Sequence, residues 1–304
     1  MRSGSVVDET AIAREEKGMS PSQRWREAVP FLVLVPAVGL MVVLYLYPFT
    51  ASIYRSFLDR DGTLSLANYA KSWHLYQRDV FFSLGVTVLS TVISVGLSIV
   101  LAAYLRLTTG RIRRVIAVVY RIPIFIPFVV VAQMMNTFLA PHGLLNIFLA
   151  QLGLIDLNAP LRLFNWQGLT FGFVWKQTAF TTLIVLGGFE MVDNSYIEAA
   201  RSIGANLLQV VLRVMAPMSL TSIAVGAILV FTSTMGTFTL PFMIVAGEPT
   251  TVTVDIAHRV NYFGDYGVAN ALGTITYVMV LVAAVYYLRH ALKRSIYASE
   301  GEQG

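Results

Sequence analysis

Three groups of residues have types and spacings suited to recognition. The first is Glu198-Ala199-Ala200, the chain's single Glu-Ala-Ala, followed by Gly204 and Pro217. It lies in "SYIEAARSIGANLLQVVLRVMAPMS", Ser195 to Ser219, between two long apolar runs. A carboxylate on a flat, small-residue face suits docking into a groove of another protein; Glu198 as a helix-capping residue only is the plain alternative. The second group is Lys176, an ammonium inside an apolar stretch, with Gln177, Thr178 and Thr181 beside it. The third is made of amides and hydroxyls in other apolar runs: Gln133, Asn136, Thr232, Ser233, Thr234 and Thr237. Polar groups in such runs are costly and often functional, which suits contact with an anionic or hydroxylated solute. For Lys176 the structural alternatives are a carboxylate on a partner chain or snorkelling to the surface. For the hydroxyls and amides the alternative is bonding between neighbouring helices.

Other chemistry is missing from the sequence. There is no G-x-x-x-x-G-K-[ST] phosphate loop, no zincin motif and no G-x-S-x-G elbow. The chain has no cysteine, which excludes disulfides, thiolate metal sites and thiol catalysis. His74, His142, His258 and His290 fall in different connections, so no metal cluster is expected. The chain reads as a transport or binding subunit, with no catalytic residue and no cofactor of its own.

The elements that position these groups follow from composition. Of 304 residues 56% are hydrophobic and 13% charged, against about a quarter charged in a soluble domain. Several runs approach the roughly 20 apolar residues that cross a bilayer. The expected fold class is therefore all-α: a polytopic membrane protein with about six transmembrane helices. The spans are placed at about 29–49, 80–105, 115–139, 168–189, 220–244 and 267–289. Residues 1–28 read as a polar cytoplasmic tail, 29–292 as the transmembrane domain and 293–304 as a second tail. The run beginning at Val29 is long for a signal-peptide core and no small-residue cleavage pattern follows it, so it reads as a retained span. Gly143–Leu154, "GLLNIFLAQLGL", reads as a short interfacial or re-entrant helix.

Lys and Arg set the orientation. Connections on one side hold 14 of them and those on the other hold 6, so both termini are expected in the cytoplasm. That assignment accounts for the basic pI without nucleic acid. The Ser195–Ser219 stretch then faces the cytoplasm, where Glu190, Asp193 and Glu198 are unusual among connections that favour basic residues. Ser195-x-x-Glu198 has capping-box spacing, Gly204 suits a left-handed helix end, and Asn206 suits the cap of a second helix. Pro217 is expected to stop or kink that helix at span five. The result is a helix-turn-helix, within 190–219, at the membrane surface.

On these residues the chain resembles the permeases of binding-protein-dependent ABC importers. Glu198, Ala199, Ala200, Gly204 and Pro217 hold the spacing of that family's EAA loop, with Val214 and Ala216 standing for its Ile and Leu. The resemblance implies a plasma-membrane subunit whose first short loop helix, the coupling helix, enters a cleft of a cytoplasmic ATPase. Glu198 would make polar contacts there, the alanines allow close approach and Gly204 permits the turn. It implies as partners two ATPase subunits holding ATP and magnesium, a second permease and an extracytoplasmic solute-binding protein. The candidate pathway residues are Lys176, Gln177, Asn136, Thr181 and Thr234.

For the solute, Phe31–Phe57, "GLLNIFLAQLGL" and Phe263–Gly273 resemble carbohydrate-importer permeases of the maltose type, which implies a sugar or polyol. The loop form Ser202-Ile203-Gly204-Ala205, with Gly236–Ile244, resembles permeases for polyamines and other organic ions. A gradient-driven carrier is the rival of another class, because "RLTTGRIRRV" (Arg106–Val115) resembles the basic loop of such carriers. That loop lacks their acidic residue and fits a positive-inside connection.

Overall fold

The computed structural model describes the backbone of residues 34–300 apart from 60, 246 and 248, and side chains except those of 288 and 290–300. The polar segment 1–28 and the first residues of span one lie outside the described residues. The first helix, α1 (Leu34–Ser56), falls mostly in its own compact unit, Met1–Tyr54, and is taken by itself. The second unit contains α2 (Ala67–Leu107), α3 (Arg111–Val119), α4 (Phe128–Leu139), α5 (Leu144–Gln151) and α6 (Trp166–Glu190). It continues with α7 (Asn194–Ser202), α8 (Leu207–Met218), α9 (Leu220–Gly236), α10 (Thr239–Ile244), α11 (Val252–Asn261) and α12 (Tyr266–Glu300). Among the described residues the only β pairing is one isolated bridge, Leu58 with Leu64. The all-α expectation therefore holds, with five helices long and apolar enough to cross a membrane, or six if the bent pair α8–α9 is one span.

The centre of the second unit is α2 against α6, with α9 packed on both. Lipid gives two apolar helices no hydrophobic reason to associate, so close approach through small residues must do it. The buried face of α2 is made of them: Ser83, Thr87, Ser90, Thr91, Ser94, Ser98 and Ala102. Ser98 Oγ donates to the Thr178 carbonyl of α6 at 3.1 Å. On the other side of α6, a Cβ at Gly188 would lie 2.6 Å from the Ser222 side chain of α9. The Ser219 hydroxyl donates to the Gly188 carbonyl at 2.9 Å, so the same residue fixes both distance and register.

Several expected boundaries differ from the structure. Span two, placed at 80–105, is one helix of 41 residues that also contains 67–79. At 1.5 Å per residue it is about 60 Å long, roughly twice a hydrocarbon core. Hydropathy missed its first three turns because they are polar. Span three, placed at 115–139, is broken into α3, a helical turn at Ile122–Phe125 and α4. Pro123 and Pro127 cause the break: each lacks an amide donor and restricts the residue before it. The long apolar candidate here is instead Phe128–Gln151, α4 with α5, where the short helix expected at Gly143–Leu154 is present. Span five, placed at 220–244, stops at Gly236 and resumes as α10. At the far end, α12 runs on to Glu300, so helix covers most of the stretch read as a tail from 293.

Pro217 does not end its helix. Widened turns precede two prolines at the same offset: Val42–Leu46 before Pro48, and Val211–Met215 before Pro217. In each the next amide reaches back five residues, Tyr47 to Val42 and Ala216 to Val211. The extra residue moves aside the carbonyl a proline ring would strike. The expected kink falls two residues later, at Ser219 (φ −104°, ψ 20°), where α8 and α9 meet at 80°.

Replacing Gly188 by Val is expected to force α6 from α9 and destabilise the chain by about 1–3 kcal/mol. Thermal unfolding of the detergent-solubilised protein checks this; a Tm equal to that of the unaltered chain contradicts the close-packing account.

Candidate functional site

The loop between α6 and α9 is built from α7 and α8. Helix α7 starts two residues earlier than the capping-box spacing suggests. Asp193, not Ser195, is its cap: Asp193 Oδ1 accepts from the Ser195 amide at 2.8 Å. A carboxylate answers the positive end of a helix better than a hydroxyl does. The Ser195 amide, then the Ser195 hydroxyl and more weakly the Arg106 guanidinium hold the Asp193 carboxyl below its ordinary range. The cap is thus complete at neutral pH and is lost only as pH falls through that lowered value. Since Ser195 is not the cap, Glu198 has no capping duty. Among the described residues it has no hydrogen bond or ion pair, and it is exposed.

The far end of α7 is a Schellman turn. The Gly204 amide donates to the Arg201 carbonyl at 2.9 Å, and the Ala205 amide to that of Ala200 at 3.0 Å. Gly204 takes φ +87°, the left-handed conformation expected of it. Asn206 then caps α8 in a full capping box, exchanging bonds with Gln209 at 2.9 Å each way. The second cap expected from the sequence is therefore present.

The two loop helices hold on to the bundle through Ile197, Val210, Val211 and Met215, which pack with Ala102, Leu105, Val185 and Phe189. Ala200 turns inward against this cluster, half-buried, while Ala199 and Glu198 face out. The two alanines thus do not share one flat outer face, as the sequence had suggested. What joins Glu198 and Ala199 outside is apolar. Ile203, at the tip of the turn, is 86% exposed, and Leu207, Leu208 and Met218 are more than half exposed. These apolar side chains are exposed on the same two-helix loop as the unpaired Glu198. In the sequence Ile203 is only a departure from the sugar-type pattern; its exposure follows from the Schellman turn.

The residues proposed for a pathway do not converge. Lys176 Nζ donates to the carbonyls of Pro123 (2.6 Å), Ile124 (3.2 Å) and Ile126 (2.6 Å). All three of its protons serve the backbone that Pro123 and Pro127 interrupt. The Gln177 amide donates to Ser233 Oγ on α9 at 2.8 Å, and Thr181 Oγ1 to the Gln177 carbonyl at 2.9 Å. Thr234 is buried within α9, and Asn136 is half-buried on α4. Gln177, Thr181 and Thr234 thus lie in the helix packing.

A cavity that sequence reading did not find lies between α4 and α6. It holds about 450 Å³ and is lined by Gln133, Thr137, Phe138, Phe171 and Trp175 among others. The Phe138 and Phe171 rings stack at 6.1 Å. A second cavity of about 350 Å³ continues along α6 beyond Phe171 and Trp175 and reaches Tyr120 and Thr178. Thr178 Oγ1 is buried there without a hydrogen-bond partner. Only the three- and four-residue spacing of Phe171, Trp175 and Thr178 hints at this face in the sequence.

At the opposite end of α2 the structure shows a cleft of about 680 Å³. Lys71 of α2 pairs with Asp265 at 2.6 Å, and Arg259 of α11 approaches the same carboxylate at 3.6 Å. Burial alone would raise the Asp265 carboxyl; bonds from Lys71 and the Val268 amide, with the Arg259 charge, bring it below its ordinary value. Arg259 also bonds the Tyr76 hydroxyl and covers the Phe263 ring at 4.7 Å.

A bundle of apolar helices with broken spans, and at one end a capped two-helix loop presenting a free acid and apolar side chains, defines a polytopic transport subunit. A family model described as the inner membrane component of binding-protein-dependent transport systems matches residues 94–296, and the chain belongs to that family. The trehalose/maltose transport system permease protein MalF of Thermococcus litoralis is 26% identical over 293 residues, covering 90% of this chain and 97% of that protein. The spermidine/putrescine transport system permease protein PotB of Salmonella typhimurium is 27% identical over 268 residues, covering 84% and 92%. Among solved structures, a bacterial ABC transporter for import of the acidic polysaccharide alginate has a chain with the same fold. It superposes with a TM-score of 0.76 at 18% identity, over 88% of this chain and 98% of that one.

Replacing Gly204 by Ala is expected to cost about 1–2 kcal/mol in the left-handed turn. Hydrogen exchange of the α7 amides should speed up roughly 5- to 30-fold; unchanged exchange would show that the turn does not hold the helix.

Proposed function

We propose that the chain forms half of the translocation pathway of an ATP-driven importer for a carbohydrate or polyol. The loop at 190–219 docks to a cytoplasmic ATPase subunit, and both termini lie in the cytoplasm. A solute-binding protein delivers the solute on the other side, and a second permease completes the pathway. The two ATPase subunits bind ATP and magnesium. The observation that supports docking most directly is the exposed patch of Ile203, Leu207 and Leu208 beside the unpaired Glu198. A patch of that kind, on helices anchored by Ile197 and Met215, can pass a rigid-body motion of the ATPase to α2 and α6.

The α4–α6 cavity favours a neutral hydroxylated solute over a polyamine. Its volume lies in the range of small-ligand sites. Aromatic rings at Phe138, Phe171 and Trp175 offer apolar faces to a sugar ring, and Gln133 and Thr137 offer polar groups to its hydroxyls. None of the lining residues is acidic. A polycation would meet no counter-charge there. The polyamine reading rests on the similarity to PotB, and the gradient-driven alternative has no comparable support.

Uptake into proteoliposomes with the assembled complex tests this reading, using trehalose, maltose, glycerol and spermidine as probes. ATP-dependent uptake of a sugar or polyol is expected. Uptake of spermidine alone would reverse the solute assignment, and uptake driven by a proton gradient without ATP would reject the importer. Glu198→Lys is expected to weaken association with the ATPase by roughly 10-fold, one charge reversal at an interface, while the chain still inserts. Co-purification measures it, and normal association together with normal transport would remove the docking role.

A further inference from the structure

We infer that Arg106 is the positioning residue that makes the docking helix α7 move with the α2–α6 pair; the inference rests on the docking role proposed above. Between α6 and α7 lie only Met191, Val192 and Asp193. This linker is tied back only by turn bonds to the Phe189 carbonyl, that from the Val192 amide being 3.3 Å long, so by itself it can act as a hinge. A single guanidinium closes it. Arg106, in the last turn of α2, reaches over the end of α6. Its Nε donates to the Phe189 carbonyl at 3.1 Å. Its Nη2 donates to the Val192 carbonyl at 3.0 Å and to Asn194 Oδ1, on the first residue of α7, at 2.7 Å. One planar group thus joins the last turn of one helix, the linker and the first residue of the next.

The chemistry of the end groups explains why an arginine is needed. The last carbonyls of a helix have no partner within it, and here the end of α6 is packed beneath the loop. Water or a lysine could answer one carbonyl at a time. The guanidinium fork holds several donors in fixed directions, so it constrains angle as well as distance. A second arginine repeats the arrangement one step upstream: Arg113 Nε of α3 donates to the Leu105 carbonyl at the end of α2, at 2.7 Å. Arg113 therefore braces the turn of α2 that bears Arg106. The order of attachment is α3 to α2, α2 to α6, and α2 to α7, each made by an arginine at a helix end.

The apolar contacts at Ile197 keep α7 on the bundle whether or not Arg106 is present. Arg106 adds control of orientation: with it, a displacement of α7 displaces the end of α2, and without it the three-residue linker absorbs the motion. Hydrolysis in the ATPase subunits then proceeds without moving the pathway.

The test uses the assembled complex in nanodiscs and measures solute uptake per ATP hydrolysed, alongside the amount of ATPase that co-purifies. Asn194→Ala removes only the contact to α7 and leaves both carbonyl bonds. It is expected to leave assembly unchanged and to lower the uptake-to-hydrolysis ratio roughly fivefold or more. Arg106→Lys keeps the charge but loses the fork, and is expected to lower the ratio further with continued hydrolysis. An unchanged ratio for Asn194→Ala overturns the inference. So does loss of ATPase from the purified Asn194→Ala complex, because the residue then serves assembly and not transmission. If Glu198→Lys leaves docking intact, the docking surface falls by that separate readout, whatever the ratio shows.

Discussion

Inside a hydrocarbon layer a backbone amide or carbonyl has no water to turn to, and each one left unbonded costs several kcal/mol. An unbroken helix meets that demand automatically. This chain breaks its helices repeatedly, and at each break a specific side chain answers the groups set free. Lys176 takes the three carbonyls around Pro123 and Pro127. Asn146 bonds both the Ala140 carbonyl and, in both directions, the backbone of Leu161. The Thr253 hydroxyl takes the Thr237 carbonyl at the gap between α9 and α10. Ser219 bonds Gly188 at the sharpest bend, and Arg106 closes the end of α6. The interruptions are what give the bundle its cavities and its loop, so the polar side chains near them are the condition for having a pathway at all.

The same constraint separates what was legible in the sequence from what was not. The helical class and the loop pattern depend on composition and spacing along the chain, and these could be read. Gly204 and Asn206 do what their local chemistry requires of them in isolation. Ser195 is not the cap its spacing predicts, because two good caps stand two residues apart and only the backbone decides between a hydroxyl and the carboxylate of Asp193. Lys176 stands out in the sequence as a cation in an apolar run, with a solute contact and structural roles both open to it; its bonds to carbonyls about 50 residues earlier are something no pattern reveals. The α4–α6 cavity was invisible for a related reason. Its walls are mostly apolar residues that on a linear sequence look like lipid-facing ones, and only the crossing of two helices turns them into a cavity.

The loop and the cavity meet through α6. That helix bears Trp175 and Phe171 on the cavity side, Gly188 at the close approach to α9, and the Phe189 carbonyl held by Arg106. A change in the angle of α7 has a short, rigid route to the walls of the cavity. The relation of fold to function here is mechanical: the features that distinguish the chain are the joints between its helices.

The unusual length of α2 places its two ends in different electrical surroundings. Its first three turns run about 20 Å past the apolar part of the helix and carry Lys71, whose pair with Asp265 is partly exposed; exposed charges farther apart than about 8 Å are screened at physiological salt. The Lys176 ammonium, bonded to carbonyls within the bundle, is shielded from mobile ions. Ionic strength therefore acts more strongly on the charged cleft at this end of α2 than on the ammonium held by carbonyls between the helices.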